Sequence, residues 1–489
     1  MGIDQSTQGT KGLLFDEEGT LLCRTDLPHK QYIDERGWVE HDPEEIYKNT
    51  VQVVKNLVEK AGINKNDIAV FGISNQRETA LVWDRQSGKP IYNAVVWQCA
   101  RGSEICKKII AENKDVEELV RSHTGLQLSP YFSAAKIAWV LQNVQGAQEK
   151  ANKGELCCGT IDSWLVYKLT GGKEFRTDYS NASRTQMFNI GKLSWDEDVC
   201  GLFEIPTSCL AEVTDSDGEY GYTDFEGFLD EPISIRCVLG DSHGALFGQG
   251  CIEKGMIKTT YGTGSSIMMN IGNTPVYSNR VVTSLAWKLN GEVNYVLEGN
   301  INYTGAVITW LKDDLGLISS PGETETLAFE ANPKDHAYLV PAFTGLSAPY
   351  WDSEAEAVLT GMTRTTKRAE VVRAGLECIA YQITDVIRAM SDESKIAINK
   401  LRVDGGPTRN KYLMQFQSDI ADVTVQVPSA EELSGIGAAY GAGIAMGIYD
   451  RDAIFAKMKR TEFVPKMDDE ERREKYSGWN KAVKQVLTK

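Results

Sequence analysis

Two short turns of glycine and hydroxyl residues, half a chain apart, constrain this sequence more than any other feature. The first is Asp4-Gln5-Ser6-Thr7-Gln8-Gly9-Thr10-Lys11 and the second Thr259-Thr260-Tyr261-Gly262-Thr263-Gly264-Ser265-Ser266. Each runs into an apolar stretch, Gly12-Leu13-Leu14-Phe15 and Ile267-Met268-Met269. A strand, a tight turn and a returning strand make a hairpin whose tip can aim backbone N–H groups and hydroxyls at an anion. Thr7, Thr10 and Thr263 supply hydroxyls, while Gly9, Gly262 and Gly264 permit close backbone approach. Two such tips in corresponding places predict a duplicated domain that holds a polyphosphate between its copies.

The rest of the chain fits that plan. At 489 residues it is too long for one core, so two or three domains are expected. Strands are predicted at Gly12–Phe15, Thr20–Arg24 and Ile68–Ser74, with a short one at Val95–Trp97. Asp42-Pro43-Glu44-Glu45 has the form of a helix start: a capping Asp, Pro in the first turn, then acids. After residue 245 the pattern restarts, with strands at Met256–Thr260, Ser266–Ile271, 281–288, 293–298, 400–404 and 423–427, and helices near 305–314, 368–391, 408–421 and 433–447. Alternating strands and helices predict α/β layers in two copies. The boundary falls at Gly248-Gln249-Gly250, giving domains 1–247 and 248–489. Only three residues precede Asp4, short for a central strand, which predicts native residues upstream of Met1.

Composition removes several functional classes. A net charge of −16 argues against a nucleic-acid or anionic-membrane surface. Ten cysteines without a CxxC pair predict reduced, buried thiols in a cytoplasmic protein, and five scattered histidines predict no His/Cys metal site. No run of 18 apolar residues or signal peptide is present, and the apolar Ile436–Tyr449 stretch reads as a buried helix. No GxxxxGK[ST] phosphate loop occurs. Gly435-Ile436-Gly437-Ala438-Ala439-Tyr440-Gly441 approaches a dinucleotide fingerprint, but its last Gly is one residue late and it opens no βαβ unit. Close helix packing is the expected role of its small residues, and an NAD dehydrogenase is set aside.

Two segments carry candidate chemistry. Asn75-Gln76-Arg77-Glu78 ends a strand with four multidentate side chains, a set suited to adjacent hydroxyls or equally to a surface ion pair. In Gly240-Asp241-Ser242-His243, Asp241 is placed either to cap a helix or to act as a base. Gly405-Gly406 after a strand, with Asn410 opening the next helix, suits a nucleoside lying flat on the backbone.

The sequence also resembles a known family, the FGGY carbohydrate kinases, over essentially its whole length, and most strongly the glycerol-phosphorylating branch. The resemblance lies in Gly37-Trp38-Val39-Glu40-His41-Asp42-Pro43, Asn75-Gln76-Arg77-Glu78-Thr79, Tyr92-Asn93-Ala94-Val95-Val96-Trp97-Gln98-Cys99, Thr177–Thr185, Pro341–Leu346 and Leu413–Asp419. It implies an actin-like fold of two ribonuclease-H-like domains with ATP and Mg²⁺ in the cleft, and transfer of the γ-phosphoryl to a terminal hydroxyl of a polyol. By that resemblance Asp241 is the general base, and Arg77, Glu78, Trp97 and Tyr131 line the polyol site. Thr7, Gln8, Gly9, Lys11, Thr263, Gly305, Thr309, Gly406 and Asn410 are expected at the nucleotide, and Asp4 with Asp241 at Mg²⁺. A cytoplasmic homo-oligomer, dimer or tetramer, is expected. The rival from another class, a non-catalytic ATP-dependent clamp of the same fold, has no need of Arg77, Glu78, Trp97 and Asp241.

Two departures bear on the substrate. The residue after the base is usually Gln in that branch and is Ser242 here; the residue after the second hairpin tip is usually Phe and is Ser266 here. Both remove volume, and the second makes an apolar wall polar. Glycerol is the default substrate, and a tetritol or pentitol reaching Ser242, Ser266 or His243 is the rival. On the nucleotide side Gln8-Gly9, Lys11 and Thr309 stand where Thr-Ser, Arg and Gln are usual. Backbone contacts dominate there, so ATP use is expected to persist.

Overall fold

The computed structural model describes residues 1–488. Its first half is built on a six-stranded sheet of β1 (Gly2–Gln5), β2 (Gly9–Phe15), β3 (Leu21–Pro28), β4 (Val70–Asn75), β5 (Tyr222–Thr223) and β6 (Ile233–Gly240), in the spatial order β5-β6-β4-β1-β2-β3. β1, β2 and β3 are antiparallel neighbours, whereas β1, β4 and β6 run parallel. The second half carries β7 (Ile257–Tyr261), β8 (Ser265–Gly272), β9 (Val282–Leu289), β10 (Glu292–Ile301), β11 (Lys400–Asp404), β12 (Thr424–Pro428) and β13 (Arg460–Phe463), ordered β9-β10-β8-β7-β11-β12-β13. Again a central strand, β7, pairs antiparallel with its hairpin partner β8 and parallel with β11. The duplication read from the two hairpins is therefore a duplication of sheet topology: in each half a central strand has its hairpin partner antiparallel on one side and a parallel strand on the other, with three consecutive antiparallel strands in the first sheet and four in the second.

The parallel strands matter for function because crevices outside their carboxyl ends are where open α/β sheets bind ligands. The register aligns Gln5 with Asn75 and Asn75 with Gly240, so three chain segments leave the first sheet side by side. They carry Asp4, Gln76-Arg77-Glu78 and Asp241. In the second sheet Thr260 lies beside Asp404.

Six helices concern the site: α1 (Pro43–Ala61), α2 (Ser133–Asn143), α3 (Asp241–Gly248), α4 (Arg368–Ser394), α5 (Lys411–Ala421) and α6 (Leu433–Ala445). α1 starts as its sequence predicts, with the Asp42 carboxylate accepting from Glu44 N–H and Pro43 in the first turn. α6 belongs to the second half in sequence but packs on the first sheet and on α3. Its small residues explain how. A Cβ on Gly437 would stand 2.0 Å from the Gly244 carbonyl oxygen, and one on Gly435 would stand 2.4 Å from Leu13. The Gly-rich segment thus serves close packing, as expected, and the buried helix at 436–449 is confirmed as far as Ala445.

Sequence reasoning found one strand, at Val95–Trp97, of a five-stranded sheet that follows the first domain's core, and overlooked the rest. It joins Tyr32–Ile33, Val39–His41, Ala94–Val95, Ala80–Asp84 and Leu156–Thr160. Its strands are short, and Ala80–Asp84 and Ala94–Val95 are buried almost throughout, so no alternation marks them. All ten cysteines are buried and unpaired. No helix among the described residues is long and apolar enough to cross a membrane.

Candidate active site

A trough runs between the two halves as three adjoining cavities. The first, of about 550 Å³, is lined from the first half of the chain by Thr7, Arg77, Glu78, Trp97, Tyr131, Asp241 and Ser242, and from the second half by Thr263, Ser266, Asn300 and Asn302. The second, of about 690 Å³, is lined by Gly305, Thr309, Gly406 and Asn410 among others. A third contains Asp4, Lys11, Asp404 and Gly405 and shares Thr260 with the first and Gly406 with the second. A polar small-molecule site thus connects through an acidic passage to a larger, more apolar one.

The first cavity is built by the strand ends. Arg77 and Glu78 follow β4, and Glu78 has φ 59°, a left-handed conformation that turns the chain sharply. Thr79 Oγ1 donates to Gln76 Oε1 and accepts from the Trp97 backbone N–H at 3.1 Å, fixing the Trp97 wall to this turn. Trp97 Nε1 donates to Thr7 Oγ1 at 2.9 Å, so the wall also holds the first hairpin tip. Tyr131 meets Trp97 edge to face, with centroids 5.6 Å apart. Its loop is pinned by the buried Lys136 ammonium of α2, which donates to the carbonyls of Pro130, Tyr131 and Phe132.

Asp241 is the first residue of α3, with Gly240 at the capping position, so it is not the N-cap. Its Oδ1 accepts from the Ser242 backbone N–H at 2.6 Å and faces Arg77 Nε at 3.2 Å. The second hairpin tip is rigid. Gly305 N–H donates to Gly262 O, and the Thr304 and Ala306 N–H groups donate to Thr263 O. Ser266 stands directly across from Asn300 on β8 and β10, and its buried Oγ has no protein partner.

Most predicted residues meet in this trough, with three exceptions. Gln8 and Gly9 lie outside the lining of the three cavities, and a Cβ on Gly9 would meet the Leu27 carbonyl oxygen at 2.6 Å. That glycine is required by β3. His243 is fully buried, with Nε2 3.4 Å from Ser284 Oγ, and lines no part of the first cavity, so it offers nothing to a polyol. Burial and the Arg77 guanidinium drive its pKa well below the ordinary value. Lys11 is at the trough but bonds to Glu432 at 2.6 Å.

Sequence reasoning missed Lys258, Asn300 and Asn302, which line the first cavity, and Arg184 and Glu298 behind it. Lys258 is buried and donates to Thr260 Oγ1 at 2.9 Å; burial lowers its pKa against the pull of Asp404.

The residues of the acidic passage suit a hard divalent cation. Asp4 is buried, and burial pushes its carboxyl up to about 7, with Lys11 pulling down and Asp241 and Glu432 pushing up. A buried carboxylate raised in part by a second one, beside a site for phosphate oxygens, matches Mg²⁺ chemistry, which uses one or two carboxylates and otherwise waters and phosphate.

Comparison with known proteins agrees with this geometry. The sequence profile of the FGGY family of carbohydrate kinases matches with its N-terminal domain over residues 1–248 and its C-terminal domain over 257–446. Glycerol kinase 1 of Thermotoga maritima is 48% identical over 100% of this chain and 99% of its own length. The glycerol kinase of Alkaliphilus oremlandii is 46% identical over 100% and 97%. Plasmodium falciparum glycerol kinase with ADP superposes with a TM-score of 0.94 at 36% identity, covering 100% of this chain and 98% of that one. A xylulose kinase from Lactobacillus acidophilus shares the fold at a TM-score of 0.88 and 19% identity, over 99% and 96%. With two matched domains, relatives near half identity over its full length and a cleft of this construction, the chain belongs to the FGGY family of carbohydrate kinases and is a phosphotransferase with an alcohol acceptor.

Proposed function

We propose that this enzyme transfers the γ-phosphoryl group of ATP to a terminal hydroxyl of glycerol, giving glycerol 3-phosphate. The observation that carries the reading is one cavity holding Asp241, Arg77, Glu78, Trp97 and Tyr131 on one wall and the Gly262-Thr263-Gly264 tip on the other. Arg77 and Glu78 donate to and accept from neighbouring hydroxyls, and the Trp97 and Tyr131 rings cover the carbon chain. Asp241 Oδ1 is held by Ser242 N–H and Arg77, which leaves the second oxygen for the acceptor's hydroxyl proton. As the O–P bond forms and the bond to the β-phosphate oxygen breaks, that proton passes to Asp241. Phosphoryl transfer asks little of the base, because alignment and charge stabilisation dominate the loose transition state. Lys258 and the Gly262-Thr263-Gly264 tip line the same cavity and would meet the transferring phosphoryl group. Asp4 and Asp241 would hold Mg²⁺, which supplies neutralisation of phosphate charge. The nucleoside occupies the cavity of Gly305, Thr309, Gly406 and Asn410. ADP release measured with glycerol tests the assignment: no glycerol-dependent release overturns it.

A second reading, a tetritol or pentitol as acceptor, is favoured by the unpartnered Ser266 Oγ facing Asn300. At ~30 Å³ per heavy atom, the share of a water molecule, glycerol and a phosphoryl group together fill about 300 Å³. The cavity holds about 550 Å³. Comparing kcat/KM over glycerol, erythritol, threitol, xylitol and ribitol decides between the two.

The domain boundary is placed at 247/248, supported by α3 ending at Gly248 and the second sheet opening at Ile257. A cytoplasmic location rests on ten unpaired, buried cysteines. A dimer or tetramer rests on the family resemblance, and sedimentation checks it.

A further inference from the structure

Arg77 and Glu78 of the substrate wall belong to a closed set of four charges, and the other two, Arg184 and Glu298, touch no reacting group. Arg77 donates from both terminal nitrogens to Glu298, Nη1 to Oε2 at 2.9 Å and Nη2 to Oε1 at 3.0 Å. Arg184 donates from Nε to Glu78 Oε1 at 2.6 Å and stands 3.3 Å from Glu298 Oε2 through Nη1. Relative exposure is 6% for Arg77, 2% for Glu78, 1% for Arg184 and 0% for Glu298, so water cannot substitute for any partner. Three of the four come from the first half of the chain, and Glu298 comes from β10 of the second.

The donor count shows what this achieves. A guanidinium has five N–H donors in a fixed fork. Glu298 takes one from each terminal nitrogen of Arg77, and the Nε edge is turned to Asp241. One N–H remains on each terminal nitrogen for a hydroxyl. Glu78 likewise gives one oxygen to Arg184 and keeps the other for the acceptor. The same Arg184 guanidinium lies over the Phe132 ring at 5.1 Å, next in sequence to Tyr131.

We propose that Glu298 and Arg184 are positioning residues: together they aim the free edges of Arg77 and Glu78 at the acceptor polyol, and through Glu298 the second half of the chain completes the polyol site of the first. This rests on the phosphotransfer reading above. The nucleotide cavity contains neither residue. Loss of the latch therefore acts on acceptor recognition and leaves nucleotide recognition in place.

The test uses the full-length enzyme. E298Q keeps the shape and removes the charge. R184K keeps the charge and removes the fork that serves Glu78 and Glu298 together. For each folded variant the KM for the acceptor rises by about tenfold or more, while the KM for ATP changes by less than about threefold, the pattern of a lost acceptor contact. If E298Q does not accumulate in folded form, R184K carries the measurement. Hydrogen exchange with no substrate present gives a second readout: E298Q speeds exchange at residues 76–79 more than at the nucleotide-side residues 405–413. Acceptor KM within threefold of the parent, or acceptor and ATP KM rising together, overturns the proposal. A parent enzyme that phosphorylates no polyol overturns the functional reading instead, and the exchange comparison then still decides the latch.

Discussion

Gly437→Ala adds one methyl group outside the lining of the three cavities, and the structure makes its cost calculable. The new Cβ would lie 2.0 Å from Gly244 O, 2.8 Å from its carbonyl carbon and 3.1 Å from its Cα. These are backbone atoms of α3, so no side chain can swing away. The neighbouring contacts close off sideways movement, since a Cβ on Gly248 would already meet Leu433 O at 2.1 Å. α3 must therefore retreat from α6 by about 1 Å before carbon and oxygen reach tolerable contact. Asp241 stands one helical turn before Gly244 and moves with it. A displacement of about 1 Å at a reacting group costs roughly a hundredfold in turnover. Overpacking of a close interface costs about 1–3 kcal/mol of stability. The assay is kcat from ADP release alongside thermal unfolding of the same sample. The expected result is kcat down about a hundredfold with Tm lower by about 2–10 °C. An enzyme with kcat and Tm both unchanged would refute the packing account. A selective rise in KM for ATP with intact kcat would mean that the glycine segment binds nucleotide after all.

Four further outcomes follow from the same contacts. Asp241→Asn keeps the Ser242 and Arg77 neighbours but cannot take the acceptor proton; kcat falls by about a thousandfold or more with KM for ATP little changed, and a kcat near the parent's would remove Asp241 from the base role. Ser242→Gln with Ser266→Phe fills the space beside Asn300, so the ratio of kcat/KM for glycerol over that for a pentitol rises by roughly tenfold; a ratio that stays constant denies these positions a part in specificity. Trp97→Phe deletes the 2.9 Å bond to Thr7 and leaves a hydroxyl without its donor, a loss of about 1–3 kcal/mol in transition-state binding read from kcat/KM; no change would mean the wall and the hairpin tip are independent. Burial would raise the Glu298 pKa, but Arg184 and Arg77 outweigh it and hold the carboxyl well below the usual range. The unfolded chain then binds more protons than the folded one below about pH 4.3, so stability falls as pH drops through that range, and E298Q flattens this slope in acid-unfolding curves.

The parts of the site that were legible in the sequence share a property: each is a local pattern with a local cause. A Gly-Thr-Gly turn between apolar runs has to be a hairpin tip, and four polar residues after an apolar strand have to leave its carboxyl end. The structure places both where the sequence implies. Arg184 and Glu298 were not legible because their meaning is a pairing across more than a hundred residues. Even so, Glu298 carried a signal. In Tyr295-Val296-Leu297-Glu298 a lone carboxylate interrupts an apolar strand interior, and a fully buried charge has to have a partner. The cross-strand register adds the rest. Ser266 and Asn300 oppose each other, and Met268 and Glu298 oppose each other two residues on, so Glu298, Asn300 and Ser266 share one face of the second sheet. One end of that face holds Arg77, and the other places the unpartnered Ser266 hydroxyl beside Asn300 in the lining of the first cavity. On the proposed latch, recognition of the acceptor is divided between the two halves of the chain. This follows directly from the duplication: two ribonuclease-H-like sheets that both open onto one cleft will each line it, and charge pairing across the cleft is what keeps their two contributions in register.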